Sequence, residues 1–142
     1  MKASESKYGG CIYWASAALA RKINKLAEDA WAPMGLAPGQ AYLLSLVLDE
    51  PGRQPLDLSQ ELHLAPSTIT RFIEKLEDNK LVIRVCEGKT TSVYPTQKAK
   101  GLCNEINCCR ANFSENLEHV LPKAENEALV KSMLKVADKL GG

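Results

Sequence analysis

The chain reads as mainly α-helical with one small β-hairpin, on three observations. Apolar residues return every third or fourth position over long stretches near both ends. Between those stretches, Leu58 to Val82 divides into two short helical segments parted by a break at His63 to Ala65. Directly afterwards, two β-rich runs flank Gly88. Helix, turn, helix and then a hairpin is the order of a winged helix-turn-helix, here set between long terminal helices.

The first ten residues are polar and lack a signal-peptide core, which gives the expectation of a cytoplasmic protein. No apolar run approaches the roughly 18 residues that a bilayer span requires, so no membrane segment is expected. From Cys11 to Trp31, the residues Ile12, Ala15, Leu19, Ile23, Leu26 and Ala30 form one stripe, with Lys22, Lys25, Glu28 and Asp29 off it. That is a helix of about six turns. Leu102, Ile106, Cys109, Phe113, Leu117 and Val120 repeat the pattern in a second long helix. Pro122 breaks it, and Leu129, Met133, Val136 and Leu140 mark a third. Residues 36–100 are then the winged helix-turn-helix, and residues 1–35 with 101–142 a helical dimerisation region. So many amphipathic turns exceed what one small domain can cover. The expected partner is a second copy of the chain, which would set two recognition helices on half-sites about one DNA turn apart.

Within the central region, Pro66 cannot continue a preceding helix and suits the first turn of the next. Ile69, Phe72, Ile73 and Leu76 give that next helix a buried stripe, leaving Ser67, Thr68, Thr70, Arg71 and Lys75 facing outward. Short hydroxyls allow close approach to a phosphate or a base edge, and Arg donates two parallel hydrogen bonds to guanine in the major groove. The same hydroxyls also serve commonly as helix caps. Leu81 to Val85 and Val93 to Pro95 read as strands around a polar turn from Glu87 to Ser92. Arg84, Lys89, Thr90, Thr91 and Ser92 place basic and polar groups on this wing, suited to phosphate or minor-groove contact. Double-stranded DNA is therefore the expected partner.

Bulk composition narrows the alternatives. The chain has 142 residues, 45% of them hydrophobic, which is one domain's worth of material. Its formal net charge is only +1, yet Ser67 to Lys100 carries seven basic against four acidic side chains, about +3, where a DNA face is expected. Five cysteines without CxxC spacing argue against a disulfide scaffold or a zinc knuckle. There is no nucleophile motif, phosphate-cradling glycine loop or HExxH, so neither an enzyme nor a cofactor is expected. The rival reading is a winged-helix protein-interaction module with weak or no specific DNA binding, which the near-neutral charge would suit.

The order of elements resembles the MarR family of bacterial transcriptional regulators over nearly the whole chain. Leu36, Gln40, Leu62, Pro66, Ser67, Thr68, Thr70, Arg71, Leu76, Asn79 to Val82, Thr96 and Leu102 carry the resemblance. It implies a homodimer, usually a repressor, that binds near-palindromic operators and is released when a ligand or an oxidant is sensed. Ser67, Thr68, Thr70 and Arg71 would read bases, and Arg84 and Lys89 would support the wing. Three departures stand out. Glu87-Gly88-Lys89 replaces the wing's usual acid followed two positions later by Arg, and Lys lacks the planar fork of Arg. His63 stands where Gly is frequent, in a turn expected to be exposed. Ala65 stands where a hydroxyl cap is usual.

The run CIYWAS, Cys11 to Ser16, is similar to the organic-hydroperoxide-sensing (OhrR-like) branch, in which a Cys near the start of this helix is oxidised and tyrosines hydrogen-bond it. Tyr13 and Tyr42 are the counterparts here. A helix N-terminus favours the thiolate of Cys11, and Cys108 or Cys109 of the other subunit would resolve its sulfenic acid. The family further implies a pocket for a small aromatic effector, with Tyr13, Trp14, Trp31, Met34 and Tyr42 as lining candidates. Against these stand plainer readings: aromatic residues in core or dimer interface, and cysteines as small buried hydrophobes, the expectation for Cys86 and Cys109. A metal site from Cys108, Cys109 and His119 is disfavoured, because adjacent helical residues point about 100° apart.

Overall fold

The structure is a computed structural model that describes residues 1–141. After a 3₁₀ turn at Ala3–Glu5, the chain forms α1 (Ile12–Trp31), α2 (Pro38–Asp49), α3 (Pro55–Leu62), α4 (Pro66–Asp78), β1 (Val82–Glu87), β2 (Thr90–Pro95), α5 (Gln97–Lys100), α6 (Cys103–Glu118) and α7 (Lys123–Lys139). Proline opens α2, α3 and α4 at the first turn, where its missing N–H leaves no hydrogen bond unmade. The Gln40 side chain caps α2 by accepting from the Ala37 N–H at 3.1 Å. Ala65 starts α4 without any side-chain cap. His63 ends α3 in the left-handed region at φ 53°, a conformation that favours glycine, and its side chain is exposed in the turn as expected.

One continuous core runs from Ala27 to Cys109, so α1 and α6 share it with the winged helix. Trp31, Leu43, Leu44, Val47, Leu58, Ile69, Ile73, Leu76, Val82 and Val93 are its large, fully buried members. Phe72 is half-buried and lies over Gly39 of α2. A Cβ there would sit 2.7 Å from the ring, so any larger residue at position 39 would displace Phe72.

The hairpin is longer and tighter than the sequence reading. Pairing runs from Val82↔Pro95 to Glu87↔Thr90, so the loop is only Gly88 and Lys89. Gly88 takes a positive φ of 62° at the first loop position, which glycine accepts without strain. Because β1 extends to Glu87, Cys86 lies on an exposed strand, against its expected burial. An edge not foreseen in the sequence joins this sheet at Arg53, which forms an antiparallel bridge with Val93. The Val93 N–H donates to the Arg53 carbonyl at 3.0 Å, and the Gly52 N–H to the Val93 carbonyl at 2.8 Å. The Arg53 guanidinium also pairs with Glu50 at 2.6 Å and lies 3.7 Å from Glu61, tying the start of the wing to α2 and α3.

A short α5 precedes the long helix expected from Leu102. Its cap is Thr96, whose hydroxyl accepts from the Ala99 N–H at 3.2 Å and donates to the Lys80 carbonyl at 2.7 Å. α6 packs along α1 and buries Ile106 and Cys109 in the core. α7 buries no residue, and Leu129, Val130, Met133, Leu134, Val136 and Leu140 are all exposed. The first half of α1 is equally bare, with Ile12, Tyr13, Trp14 and Leu19 exposed.

Candidate nucleic-acid interface

α4 is held by its inner face. Ile69, Ile73 and Leu76 are buried against α2 and α3, which turns Ser67, Thr70, Arg71, Glu74, Lys75 and Asp78 to solvent and leaves Thr68 half-buried. Thr70 returns its hydroxyl to the Pro66 carbonyl at 3.1 Å, a bond made within the helix. Arg71 reaches back toward the Thr68 hydroxyl at 3.4 Å. That contact is long and solvent-exposed, so the guanidinium can exchange it for a base edge at small cost.

The wing stands beside this face. Lys89 and Thr90 are exposed at its tip. Arg84 Nη2 lies 2.7 Å from Glu77 Oε1, so the guanidinium braces β1 against α4. Both partners are about one-third exposed, where such a pair contributes no more than about 1 kcal/mol. Its effect is to orient the wing. At the far end of α4, Lys80 adopts φ 59°, and Lys98 donates to the Asn79 carbonyl at 2.9 Å.

The residues named for sensing are dispersed within one protomer. Cys11 is the exposed N-cap residue of α1. Tyr13 and Trp14 meet edge to face at 5.1 Å, and Tyr8 stacks on Trp14 at 5.7 Å. Tyr42 instead packs on the buried Trp31 at 6.0 Å. Trp31 ends the helix that Cys11 begins, about 30 Å away at 1.5 Å per residue. Within one chain, therefore, Tyr42 neither hydrogen-bonds Cys11 nor shares a pocket with Tyr13 and Trp14. The cavity near Trp14, about 440 Å³, is lined by Tyr8, Trp14, Ala18, Leu19 and the 3₁₀ segment before α1. Of the five free thiols only Cys109 is buried. Burial raises its pKa, with smaller contributions from Cys108 and Glu105. Cys108, one residue on, is exposed. Among the described residues no three His, Cys, Asp or Glu side chains converge as a metal would require, and no helix is long and apolar enough to cross a membrane.

Three contributors went unread in the sequence: Glu74 on the outward face of α4, the Glu77 partner of Arg84, and Arg53. A wheel of α4 at 100° per residue marks Glu74 as outward-facing. No local sequence signal pairs Arg53 with Val93, forty residues away.

The family model described as winged helix-turn-helix DNA-binding matches residues 43–83, from within α2 to the start of β1. Among curated proteins none matches the chain. Solved structures align with it almost end to end. The transcriptional repressor CouR, solved on a 23-mer DNA duplex, is 18% identical with a TM-score of 0.83, covering 96% of this chain and 98% of that one. CouR has also been solved bound to p-coumaroyl-CoA. A MarR-family transcriptional regulator from Rhodococcus sp. RHA1 is 16% identical at TM-score 0.78, covering 94% and 96% of the two chains. The S. aureus MepR–DNA complex gives 16% identity and TM-score 0.77, covering 90% of this chain and 96% of that one. The chain therefore has the winged helix-turn-helix fold of the MarR-family regulators over nearly its whole length.

Proposed function

We propose that the protein is a homodimeric DNA-binding transcriptional regulator, acting as a repressor, that lays α4 in the major groove and the wing tip along the neighbouring backbone. The observation that carries this reading is the two-sidedness of α4. Its inner face is fully buried, while Ser67, Thr70, Arg71 and Lys75 stand unobstructed beside a wing whose tip presents Lys89 and Thr90. Arg71 supplies bidentate base contact, and Lys75, Lys89 and Thr90 supply backbone contact. DNA complexes of the similarly folded CouR and MepR support the partner. A DNA partner supports a cytoplasmic location.

The bare stripes on α7 and the first half of α1 support a second copy of the chain as their cover. Release from DNA has two candidate triggers. The p-coumaroyl-CoA complex of CouR favours a small aromatic effector. The exposure of Cys11 at the start of α1 favours oxidation by an organic hydroperoxide, giving the sulfenic acid and an alcohol. The exposed Cys108 of a second copy would then condense with it to a disulfide and release water.

Fluorescence anisotropy on DNA from upstream of the coding region, across a salt series, tests the reading. Tight, salt-sensitive binding that weakens by about 1–3 kcal/mol in Arg71→Ala is expected. Binding that ignores Arg71 at every salt concentration would instead identify a protein-interaction module. Peroxide that dissociates the wild type but not Cys11→Ser selects the thiol trigger, and binding indifferent to peroxide leaves the effector.

A further inference from the structure

On the DNA-binding reading above, we propose that Glu74 is a specificity-determining residue, its carboxylate accepting a hydrogen bond from the N4 amino group of a cytosine in the major groove.

Glu74 lies on the side of α4 turned away from its buried face. At about 100° per residue, the side chains directly across the helix from Ile69, Ile73 and Leu76 are Asp78, Arg71 and Ser67, with Glu74 and Lys75 flanking them on either side. Glu74 is exposed on that face beside Ser67 and Arg71, two turns into α4. The helix carries three carboxylates in different circumstances. Glu77 is turned to the side and paired with Arg84 at 2.7 Å. Asp78 is the last residue of α4, beside the turn at Asn79. Glu74 makes no ion pair or side-chain hydrogen bond among the described residues, although Arg71 is one turn back and Lys75 is adjacent.

An unpaired carboxylate on a surface that approaches a polyanion weakens binding to every sequence alike, unless it meets a donor in the groove. Carboxylate is acceptor-only, and the major groove offers two amino donors, cytosine N4 and adenine N6. Adenine sets its own N7 acceptor beside N6, which repels the second carboxylate oxygen, so an amide fits adenine and a carboxylate fits cytosine. Arg71 and Glu74 are three residues apart on one face, about 4.5 Å along the axis. That is close to the 3.4 Å step between base pairs. A guanine read by Arg71 and a cytosine read by Glu74 therefore fall at neighbouring positions of each half-site. The pair also discriminates by repulsion, since Glu74 opposes the acceptors of guanine and thymine at its position.

The experiment is selection from a randomised duplex pool with the full-length chain as wild type, Glu74→Gln and Glu74→Ala, followed by sequencing. The exposure of Glu74 means both variants keep the wild-type thermal midpoint. The wild type should enrich cytosine beside a guanine in each half-site. Glu74→Gln should move that one position to adenine and leave the others unchanged. Glu74→Ala should flatten it, with roughly a tenfold loss of preference there and stronger binding to unrelated duplex. Wild-type enrichment that both variants reproduce at every position overturns the assignment of Glu74 alone, as does a Glu74→Ala variant that only binds all sequences more tightly. A wild-type chain that enriches nothing removes the DNA reading and this inference with it.

Discussion

α4 and α7 are written in the same apolar periodicity and end in opposite surroundings. Ile69, Ile73 and Leu76 of α4 are at most 1% exposed, whereas Leu129, Met133 and Val136 of α7 are 37%, 46% and 44% exposed. α1 contains both conditions in a single helix, with Ala27, Ala30 and Trp31 buried and Ile12 and Leu19 bare on the preceding turns. Periodicity thus shows that a face is meant to be covered, and only packing shows by what. In the centre the cover is the chain's own α2, α3 and wing. At the ends the chain itself supplies no cover, and the proposed second copy would supply it.

The sharpest way to break the contrast is to truncate one residue from each side. Leu76→Ala leaves a cavity in a closed core and should lower unfolding free energy by about 2–5 kcal/mol in a denaturant titration. Met133→Ala should leave a dilute, monomeric chain almost unaffected, since the side chain touches no core. The complementary change is Leu129→Asp with Met133→Asp, which should abolish self-association in sedimentation while the helical circular-dichroism signal of the central region persists. A double variant that sediments as the wild type would show that α7 covers nothing in the assembly.

Smaller changes sharpen the comparison inside the winged helix. His63→Gly should stabilise the chain by about 1 kcal/mol in a thermal melt, because His63 holds a left-handed φ that costs a side chain more than it costs glycine. The thiols divide in the same way as the helices. Cys86 on the open strand should react with a chromogenic disulfide in the folded state, and Cys109 only on unfolding. Because burial raises the Cys109 pKa above that of the unfolded chain, its protonated form keeps full stability below the ordinary thiol range. Stability then declines as pH rises through that range, and Cys109→Ala should remove this alkaline slope.

Much of this architecture is legible from local rules. The proline at the start of α4, its stripe and the turn at His63 locate the recognition helix, and Gly88 locates the wing. Cys86 was misplaced because alternation ends at the turn, and the turn proved two residues long instead of six. The Arg53 edge and the Arg84–Glu77 brace were hidden because each joins residues that no spacing rule connects. The family resemblance groups Tyr42 with Tyr13, but within one chain the length of α1 separates them. The outward residues of α4 were readable in type, while the significance of Glu74 depended on seeing which of its neighbouring carboxylates was already paired.

The central claim is that two copies of this chain present two α4 helices to one face of DNA. Hydroxyl-radical footprinting of the full-length protein on its upstream DNA tests it most directly. The account predicts two protected patches related by a dyad and separated by about one helical turn. A single patch without a dyad, or uniform cleavage throughout, would contradict it.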